Sequence, residues 1–252
     1  MRKQKTIIEV GASDGKHTEV LLDGLVLFNY ANHWVPTKIY NLNDQVKFQN
    51  NYYELLQDSS LEEQPDSYDC WKQITEIPYA NSKVYSFEPN RKTYNLVKQK
   101  FQGRRRLKIF NTAIDIEEKD AVFNIDSSQS SLYEYTDNIN EIWGDNRKFK
   151  FVKKTLIKTL RLDSFIEEHK IKDVDFLWID AQGNDFNVLK SLGKYIDIVK
   201  EGICEVSLDI SLYKANNSME DVKHWLIDKN FECQVRVVHE NREADIIFKR
   251  KL

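Results

Sequence analysis

Hydrophobic and polar positions along the chain predict strands that alternate with helices. Apolar runs bounded by turn residues predict strands, and apolar positions spaced three and four residues apart predict helices. The predicted strands are residues 6–10, 83–87, 107–114, 121–125, 151–160, 175–179, 203–208, 232–238 and 244–248. The predicted helices are residues 16–22, a helix that stops at Gly103, residues 163–169, residues 185–192 and a helix preceded by the capping box of residues 218–221.

This alternation predicts an α/β fold of the Rossmann-like kind, with a doubly wound and mostly parallel sheet. Residues 175–179 form the most continuous apolar run, as expected of a strand that is buried on both faces. Residues 121–125 and 151–160 alternate and predict a short antiparallel excursion. The last segment, residues 232–248, predicts a C-terminal antiparallel hairpin.

Residues 24–82 interrupt the alternation. They contain three of the four prolines and ten of the thirty aromatic residues of the chain, more than a simple crossover needs. One interpretation is a helical insertion with a small core of its own, and the other is a lid or acceptor-binding subdomain. In both cases we expect a single domain over residues 1–252, because 252 residues suffice to bury one large core.

Composition and charge argue against several classes of protein. A formal net charge of −3 and a pI near 6.0 provide no basic field for binding nucleic acid. Three widely spaced cysteines without a CxxC pair predict neither a disulfide framework nor a thiolate metal site, and favour a cytoplasmic protein. The sequence shows no apolar stretch of the roughly 20 residues that span a membrane, and its start is unlike a signal peptide. A homo-oligomer is left open.

The most informative segment is Glu9-Val-Gly11-Ala-Ser-Asp-Gly15, the first of the strand-end turns that such a sheet brings to one crevice. Glycines let a backbone approach a ligand, and the following helix offers unpaired amides. A dinucleotide fingerprint would need G-x-G-x-x-G, whereas the spacing here is acidic-x-Gly-x-x-x-Gly. This spacing suits a carboxylate and an amine better than a diphosphate. A purely structural turn is the alternative. The other turns expected in the crevice follow Phe87, Ile179 and Leu208.

Glu88 follows the second parallel strand and precedes Pro89 and Asn90. A carboxylate at this place can accept hydrogen bonds from both ribose hydroxyls of an adenosine that lies across the strand ends. The alternative is a cap for the next helix. Pairing with the glycine turn of the preceding strand favours the ribose role.

A third group of acids lies in Asp180-Ala-Gln-Gly-Asn-Asp185, after the buried strand. Asp180 is expected to face the crevice from the end of a central strand, and Asp185 is expected at the start of a helix, where the helix dipole stabilises it. Glu205 and Asp209 flank the end of the next strand and are candidates for the same pocket. The histidines show no ligand-like spacing, so no metal site is predicted, except one formed by Asp180 with Asp185 or Asp209.

Several blocks of the chain resemble the FkbM-type methyltransferases. The specific block is a leucine-aspartate element followed by a strand that ends in Asp-x-x-Gly and by a helix with Val-Leu-Lys. The resemblance covers nearly everything outside residues 24–82. The matching blocks are residues 7–18, Val84-Tyr-Ser-Phe-Glu-Pro-Asn90, Asn111-Thr-Ala113, Ser130-Ser-Leu132, Leu160-Arg-Leu-Asp-Ser-Phe165, Asp175-Phe-Leu-Trp-Ile-Asp-Ala-Gln-Gly183 and Val188-Leu-Lys190.

The resemblance implies a class I methyltransferase fold with S-adenosylmethionine as methyl donor, often for O-methylation of sugars or related natural products. It implies that the first turn lines the methionine moiety, Glu88 the ribose and residues 111–113 the adenine. The cofactor-binding residues it implies are Glu9, Gly11, Ala12, Ser13, Asp14, Gly15, Glu88, Pro89, Asn90, Asn111, Thr112, Ala113 and Asp180. The chain departs from the usual pattern of this family at two places. Gln182 stands where the family usually has an acidic residue, and the insertion is longer than typical.

A hydroxyl acceptor must lose its proton as its oxygen attacks, and a carboxylate or histidine within hydrogen-bond reach can take that proton. Asp180 is the first candidate for this base, Glu205 the second and His17 the third. The predicted function is O-methylation of a small-molecule or glycan hydroxyl. Two alternatives are a noncatalytic scaffold that binds a partner through the aromatic insertion and, with less support, an NAD(P)-dependent oxidoreductase.

Overall fold

The computed structural model describes residues 4–28, 30–57, 63–67, 69–126, 129–137, 139–142, 149–209, 211–215, 218–239 and 242–251, with the backbone alone for residues 30–32, 142 and 239. The chain divides into a first unit, Met1–Asp14 with Lys83–Leu252, and a second unit, Gly15–Ser82. Across the described ranges, none of the helices has the length and apolar character to cross a membrane.

Outside residues 24–82, the predicted strands and helices are present in the predicted order, except that residues 107–114 form two strands. The strands are β1 (Thr6–Val10), β2 (Tyr30–His33), β3 (Gln45–Phe48), β4 (Asn51–Leu55), β5 (Trp71–Gln73), β6 (Lys83–Phe87), β7 (Leu107–Phe110), β8 (Ala113–Ile114), β9 (Asp120–Ile125), β10 (Lys153–Leu160), β11 (Phe176–Ile179), β12 (Glu201–Ser207), β13 (Phe231–His239) and β14 (Glu243–Arg250). The helices are α1 (Lys16–Leu22), α2 (Arg91–Lys100), α3 (Ile139–Ile142), α4 (Leu162–Glu168), α5 (Asp185–Lys190) and α6 (Met219–Asp228), with a 3-10 helix at Gly193–Ile198.

The first unit is built on a seven-stranded sheet with the strand order β13-β14-β12-β11-β1-β6-β7. β1 pairs in parallel with both β6 and β11, and the parallel pairing continues to β7 on one side and to β12 on the other. β14 runs antiparallel to both of its neighbours, β12 and β13. The chain therefore winds outwards from β1 in two directions, which confirms the predicted doubly wound, mostly parallel sheet with a C-terminal antiparallel hairpin.

One face of this sheet is packed against helices α4, α5 and α6. Alternate strand residues such as Ile8, Val10 and Leu177 lie in one buried cluster with apolar residues of the three helices. The helix residues of this cluster are Leu162, Phe165, Ile166, Phe186, Val188, Leu189, Val222 and Leu226. All four residues of β11 are buried, as predicted for a strand with both faces covered.

A small sheet with the order β8-β10-β9 follows β7. β9 and β10 pair antiparallel, which confirms the expected excursion. The prediction of one strand over residues 107–114 is wrong, because polar side chains bend the chain between β7 and β8. The Asn111 amide donates to the carbonyls of Glu88 and Pro89, both at 2.9 Å, and the Thr112 hydroxyl donates to the carbonyl of Lys158 at 2.7 Å.

The second unit contains a four-stranded sheet with the order β2-β3-β4-β5. β3 and β4 form a hairpin over a two-residue turn in which Gln49 has a φ of 52°. The prediction of a helical insertion is wrong: the described residues of segment 24–82 contain no helix. Short runs of aromatic and β-branched residues around a tight turn favour strands over a helix. The expected small core is present and comprises Tyr40, Val46, Tyr53, Leu55, Cys70 and Trp71.

Candidate active site

The carboxyl ends of β1, β6 and β11 open on one cavity of the first unit, with a volume of about 330 Å³. Three of the four turns predicted to share a crevice contribute to its wall, and residues 208 and 209 of the fourth turn do not. The lining residues are Val10, Gly11, Ser13, Asp14, Phe87, Glu88, Pro89, Asn90, Thr93, Leu96, Thr112, Ala113, Ile114, Phe123, Ser130, Leu132, Asp180, Ala181, Gln182 and Asn184. The cavity lies where doubly wound sheets bind their ligands.

Gly11 allows the ends of β1 and β11 to meet. It has a φ of 94°, and a Cβ built on it would lie 1.9 Å from the carbonyl oxygen of Asp180. The Asp180 N–H donates to the carbonyl of Val10 at 2.9 Å, and the Gly11 N–H donates to the carbonyl of Phe87 at 3.0 Å. Glycine is thus required here by a close approach of two backbone segments, which brings Asp180 beside the first turn.

Glu88 joins two turns through its carboxylate and is only 6% exposed. One oxygen accepts a hydrogen bond from the Ser13 N–H at 2.9 Å and the other accepts from the Asn90 N–H at 2.7 Å. Burial raises the pKa of Glu88 to about 7, against the lowering effect of these two donors, and the nearby Asp180 and Glu9 raise it further. The helix-cap alternative does not hold, because the Asn90 side chain caps α2 by accepting from the N–H groups of Lys92 and Thr93.

Asp180 lines the cavity at the end of β11 and is half-buried. Burial raises its pKa to about 6, a hydrogen bond from Gln182 lowers it, and Asp245 raises it. The carboxyl group of Asp180 is therefore ionised in most molecules at neutral pH. The turn that follows is held by Asp185, whose two oxygens accept from the N–H groups of Ala181 at 2.9 Å and Gly183 at 3.1 Å. Asp185 thus has a structural role at the start of α5.

Glu205, the second candidate for the base, lies on β12 opposite Asp245 of β14 and is not part of the cavity wall. Burial and the neighbouring carboxylates Asp180 and Glu243 raise its pKa well above the ordinary value. This shift acts against the ionised form that a general base needs. The electrostatics of the first unit favour Asp180 over Glu205 as a base. The third candidate, His17, lies in α1 of the second unit.

The other residues predicted to bind the cofactor divide into two sets. Glu9 is buried in β1 and accepts a hydrogen bond from the Ser86 hydroxyl at 2.6 Å. Ala12 is 2% exposed, and the Asn111 side chain supports the turn after β6. These three are outside the cavity wall, and Gly15 begins the second unit with a φ of 76°. The remaining residues line the cavity: Gly11, Ser13, Asp14, Glu88, Pro89, Asn90, Thr112, Ala113 and Asp180.

Apolar residues of the cavity wall were not predicted as site residues. Phe123 of β9 and Leu96 of α2 line it together with Ile114 and Leu132, and Leu96 is 58% exposed. Leu96 lies three residues after Thr93, which also lines the cavity, so the two residues share one face of α2. The sequence indicates this face only weakly, because an apolar residue on a helix usually predicts a buried core position. Phe123 lies in a predicted strand, but its approach to the cavity depends on how β9 packs. In the described part of the chain, no three His, Cys, Asp or Glu side chains are grouped to hold a metal ion.

Residues 63–233, about two thirds of the chain, match the model of the methyltransferase FkbM domain. The match does not include the glycine turn at residues 11–15. A comparison with curated proteins gives no significant match.

Solved structures that match this chain share little sequence with it. A methyltransferase FkbM from Methylobacillus flagellatus KT has 9% identity and a TM-score of 0.48, over 98% of this chain and 44% of that one. An rRNA methylase from Streptococcus thermophilus has 9% identity and a TM-score of 0.43, over 99% and 88%. A SAM dependent methyltransferase from Aquifex aeolicus has 10% identity and a TM-score of 0.39, over 97% and 82%. The chain thus spans less than half the length of the first of these structures, and the family assignment rests on the domain match.

Proposed function

This chain belongs to the FkbM methyltransferase family, and from that premise we propose that it transfers a methyl group from S-adenosylmethionine to a hydroxyl oxygen of a sugar, glycan or related natural product. The observation that carries the proposal is the meeting of Gly11, Glu88 and Asp180 around one cavity. They come from three strands that are distant in sequence. Their convergence supports a binding site rather than three independent structural turns.

The residues present fit the proposed donor. A cavity of about 330 Å³ falls within the usual size of small-molecule sites, about 300–1,000 Å³. Glu88 offers a buried carboxylate, the natural acceptor for ribose hydroxyls. Leu96, Phe123 and Leu132 offer an apolar wall for the flat adenine ring. When bound, S-adenosylmethionine supplies a methyl carbon activated by its sulfonium.

The catalytic task left to the protein is to orient the acceptor and remove its proton. Asp180 is the base in this proposal: it accepts the hydroxyl proton while the acceptor oxygen forms its bond to the methyl carbon and the carbon–sulfur bond breaks. A pKa of about 6 suits this role, because the carboxylate is ionised at neutral pH and still basic enough to share the proton.

The test has two arms. Calorimetry with S-adenosylmethionine, S-adenosylhomocysteine and NAD establishes the cofactor, and transfer of a radiolabelled methyl group to a panel of glycans and nucleotide sugars establishes the reaction. We expect binding of the first two compounds only, and label in at least one hydroxyl-bearing acceptor. Binding of NAD alone would overturn the proposal. Donor binding without label in any acceptor would favour the noncatalytic scaffold.

A further inference from the structure

A chain of hydrogen bonds leads from the cavity wall into the protein behind Asp180. The Gln182 side-chain amide donates from Nε2 to Oδ1 of Asp180 at 2.5 Å. The Tyr213 hydroxyl lies 2.8 Å from Oε1 of Gln182 and donates to it. Gln182 itself has a φ of 51°, a left-handed conformation that is unfavourable for a residue with a Cβ. Its carbonyl accepts from the Ser131 hydroxyl at 2.7 Å, which helps to hold the turn.

The contact with the Asp180 carboxylate, which can only accept, determines which way the Gln182 amide points. With Nε2 towards Asp180 and Oε1 towards Tyr213, each contact pairs a donor with an acceptor. The reverse orientation would place the amide oxygen against a carboxylate oxygen. The Tyr213 hydroxyl also lies 3.1 Å from the Gln129 carbonyl, which is an acceptor only. The single hydroxyl hydrogen of Tyr213 is shared between these two acceptors, and the shorter contact is the one to Gln182.

Tyr213 is itself held rigidly. It is 4% exposed, and its ring packs on Gly183, where an added Cβ would lie 2.9 Å from Cδ2 of the tyrosine. The ring stacks with that of Tyr135 at 5.5 Å between centroids, and Tyr135 stacks on Phe151 at 4.0 Å. Burial raises the pKa of Tyr213 well above its ordinary value, so the hydroxyl keeps the proton that it donates.

Asp180 is surrounded by acidic groups on the elements packed around it. Each of these groups raises the pKa of Asp180 or has its own pKa raised by Asp180: Glu88 after β6, Asp185 of α5, Glu205 of β12, and Glu243 and Asp245 of β14. Two arginines accompany this group: Arg236 pairs with Asp245, and Arg242 lowers the pKa of Glu243. For Asp180 itself, burial has the largest effect in raising the pKa, and Asp245 adds to it.

We propose that Gln182, held in place by Tyr213, is a positioning residue that orients the Asp180 carboxylate and keeps it ionised for proton transfer. The inference rests on the proposed role of Asp180 as the base. An amide at position 182 donates to the carboxylate without adding charge, whereas an acidic residue there would add one more negative group and remove the donor. The amide is therefore suited to a base that is crowded by carboxylates.

The pKa of Asp180 can be followed directly by NMR titration of side-chain carboxyl carbons in the ¹³C-labelled protein, with Asp180→Asn to assign the signal. Gln182→Glu keeps the side-chain length, removes the donor and adds a charge. We expect it to raise the pKa of Asp180 by about one to two pH units, the equivalent of a lost charge-assisted hydrogen bond. Gln182→Met, which removes the donor without adding charge, and Tyr213→Phe, which leaves the amide unsupported, should raise it by less.

The control is Gln234→Glu, the same chemical change at an exposed position on β13, which should leave the titration of Asp180 unchanged. An Asp180 pKa that is the same in wild type, Gln182→Glu and Gln182→Met would overturn the inference. Because the titration needs no acceptor, it decides the role of Gln182 even if no methyl transfer is found. With an acceptor from the panel, the acidic limb of kcat should shift by the same amount while KM for the donor stays constant.

Discussion

Glu88 and Asp180 are carboxylates at neighbouring strand ends, but their partners give them different chemistry. Glu88 receives two backbone N–H donors, one from each of two turns, so its position is set by the backbone. Asp180 receives a side-chain donor, and the residue lines the cavity. The first arrangement suits a group that binds, and the second suits a group that exchanges a proton.

Replacing Glu88 with alanine should weaken the binding of S-adenosylhomocysteine. Loss of a charged acceptor for the ribose hydroxyls costs about 1.5 to 3 kcal/mol, or roughly 10- to 150-fold in Kd. Calorimetry measures this directly. Glu167→Ala, at an exposed position of α4, is the matched control and should bind like wild type. Equal affinity of Glu88→Ala and wild type would remove Glu88 from the ribose site.

Replacing Asp180 with asparagine should separate binding from chemistry. Asparagine keeps the shape and can still accept from Gln182, but it cannot take a proton at neutral pH. Donor affinity should change little, and turnover should fall by roughly a hundredfold or more. Both constants are measured on the same variant, with and without magnesium. Unchanged turnover would move the role to Glu205 or to a metal, and lost donor binding would make Asp180 a cofactor ligand only.

At the level of elements, the glycine turn after β1 connects stability to the site. Gly11→Ala would place a Cβ 1.9 Å from the Asp180 carbonyl, so β1 and β11 must separate. We expect a loss of about 3 kcal/mol or more in the free energy of unfolding, measured by urea denaturation. Gly103→Ala is the matched control, because Gly103 has a φ of 83° but nothing within 4 Å of an added Cβ. It should cost only the backbone term, about 1 kcal/mol. Equal losses in the two variants would mean that the close approach is unimportant.

Elements with a strong local signal were predictable, and those that depend on distant partners were not. β1, α1 and β6 have the predicted bounds, because a short apolar run with an adjacent turn specifies such an element without contacts from distant residues. Ser218 also caps its helix as predicted, with its hydroxyl accepting from the Asp221 N–H at 3.3 Å. The apolar run of residues 107–114 gave no sign of its bend, because that bend depends on carbonyls of residues 88, 89 and 158.

At the scale of the whole molecule, buried acids make stability depend on pH. The pKa in the folded protein is raised to about 6 for Asp180 and to about 7 for Glu88, Asp185 and Glu243. Between about pH 4 and pH 7 the folded state therefore holds more protons than the unfolded chain. Stability falls as the pH rises through this window, and the full penalty is present above it.

We accordingly expect the free energy of unfolding of the cofactor-free protein to decrease between about pH 4 and pH 7. Urea denaturation across that range measures it. Glu243→Gln should make the decrease smaller, and Asp137→Asn, at a position with an 83% exposed side chain, should leave it unchanged. Arg161 lowers the pKa of Asp163, so this residue changes the free energy of unfolding only below about pH 4. A free energy of unfolding that increased with pH over this range would show that burial does not raise the pKa values of these acids.

The second unit is the part of the molecule for which the pattern of residues was least informative. Its aromatic content predicts a separate small core, and that core is present, but the segment forms strands and not the predicted helices. The short runs around Gln49 are too brief for periodicity to distinguish the two. The hypothesis that this segment selects the acceptor stays a prediction.

The order of strands and helices, the glycine turn and the acidic strand ends could be inferred from the chain alone, because periodicity, caps and turns arise from interactions between residues close in sequence. The contact of Gly11 with Asp180, the support of Asp180 by Gln182 and Tyr213, and the raised pKa values of the acids could not. These depend on distances between segments that lie far apart in the chain. Such distances exist only once the sheet has paired and the solvent has been excluded from its strand ends.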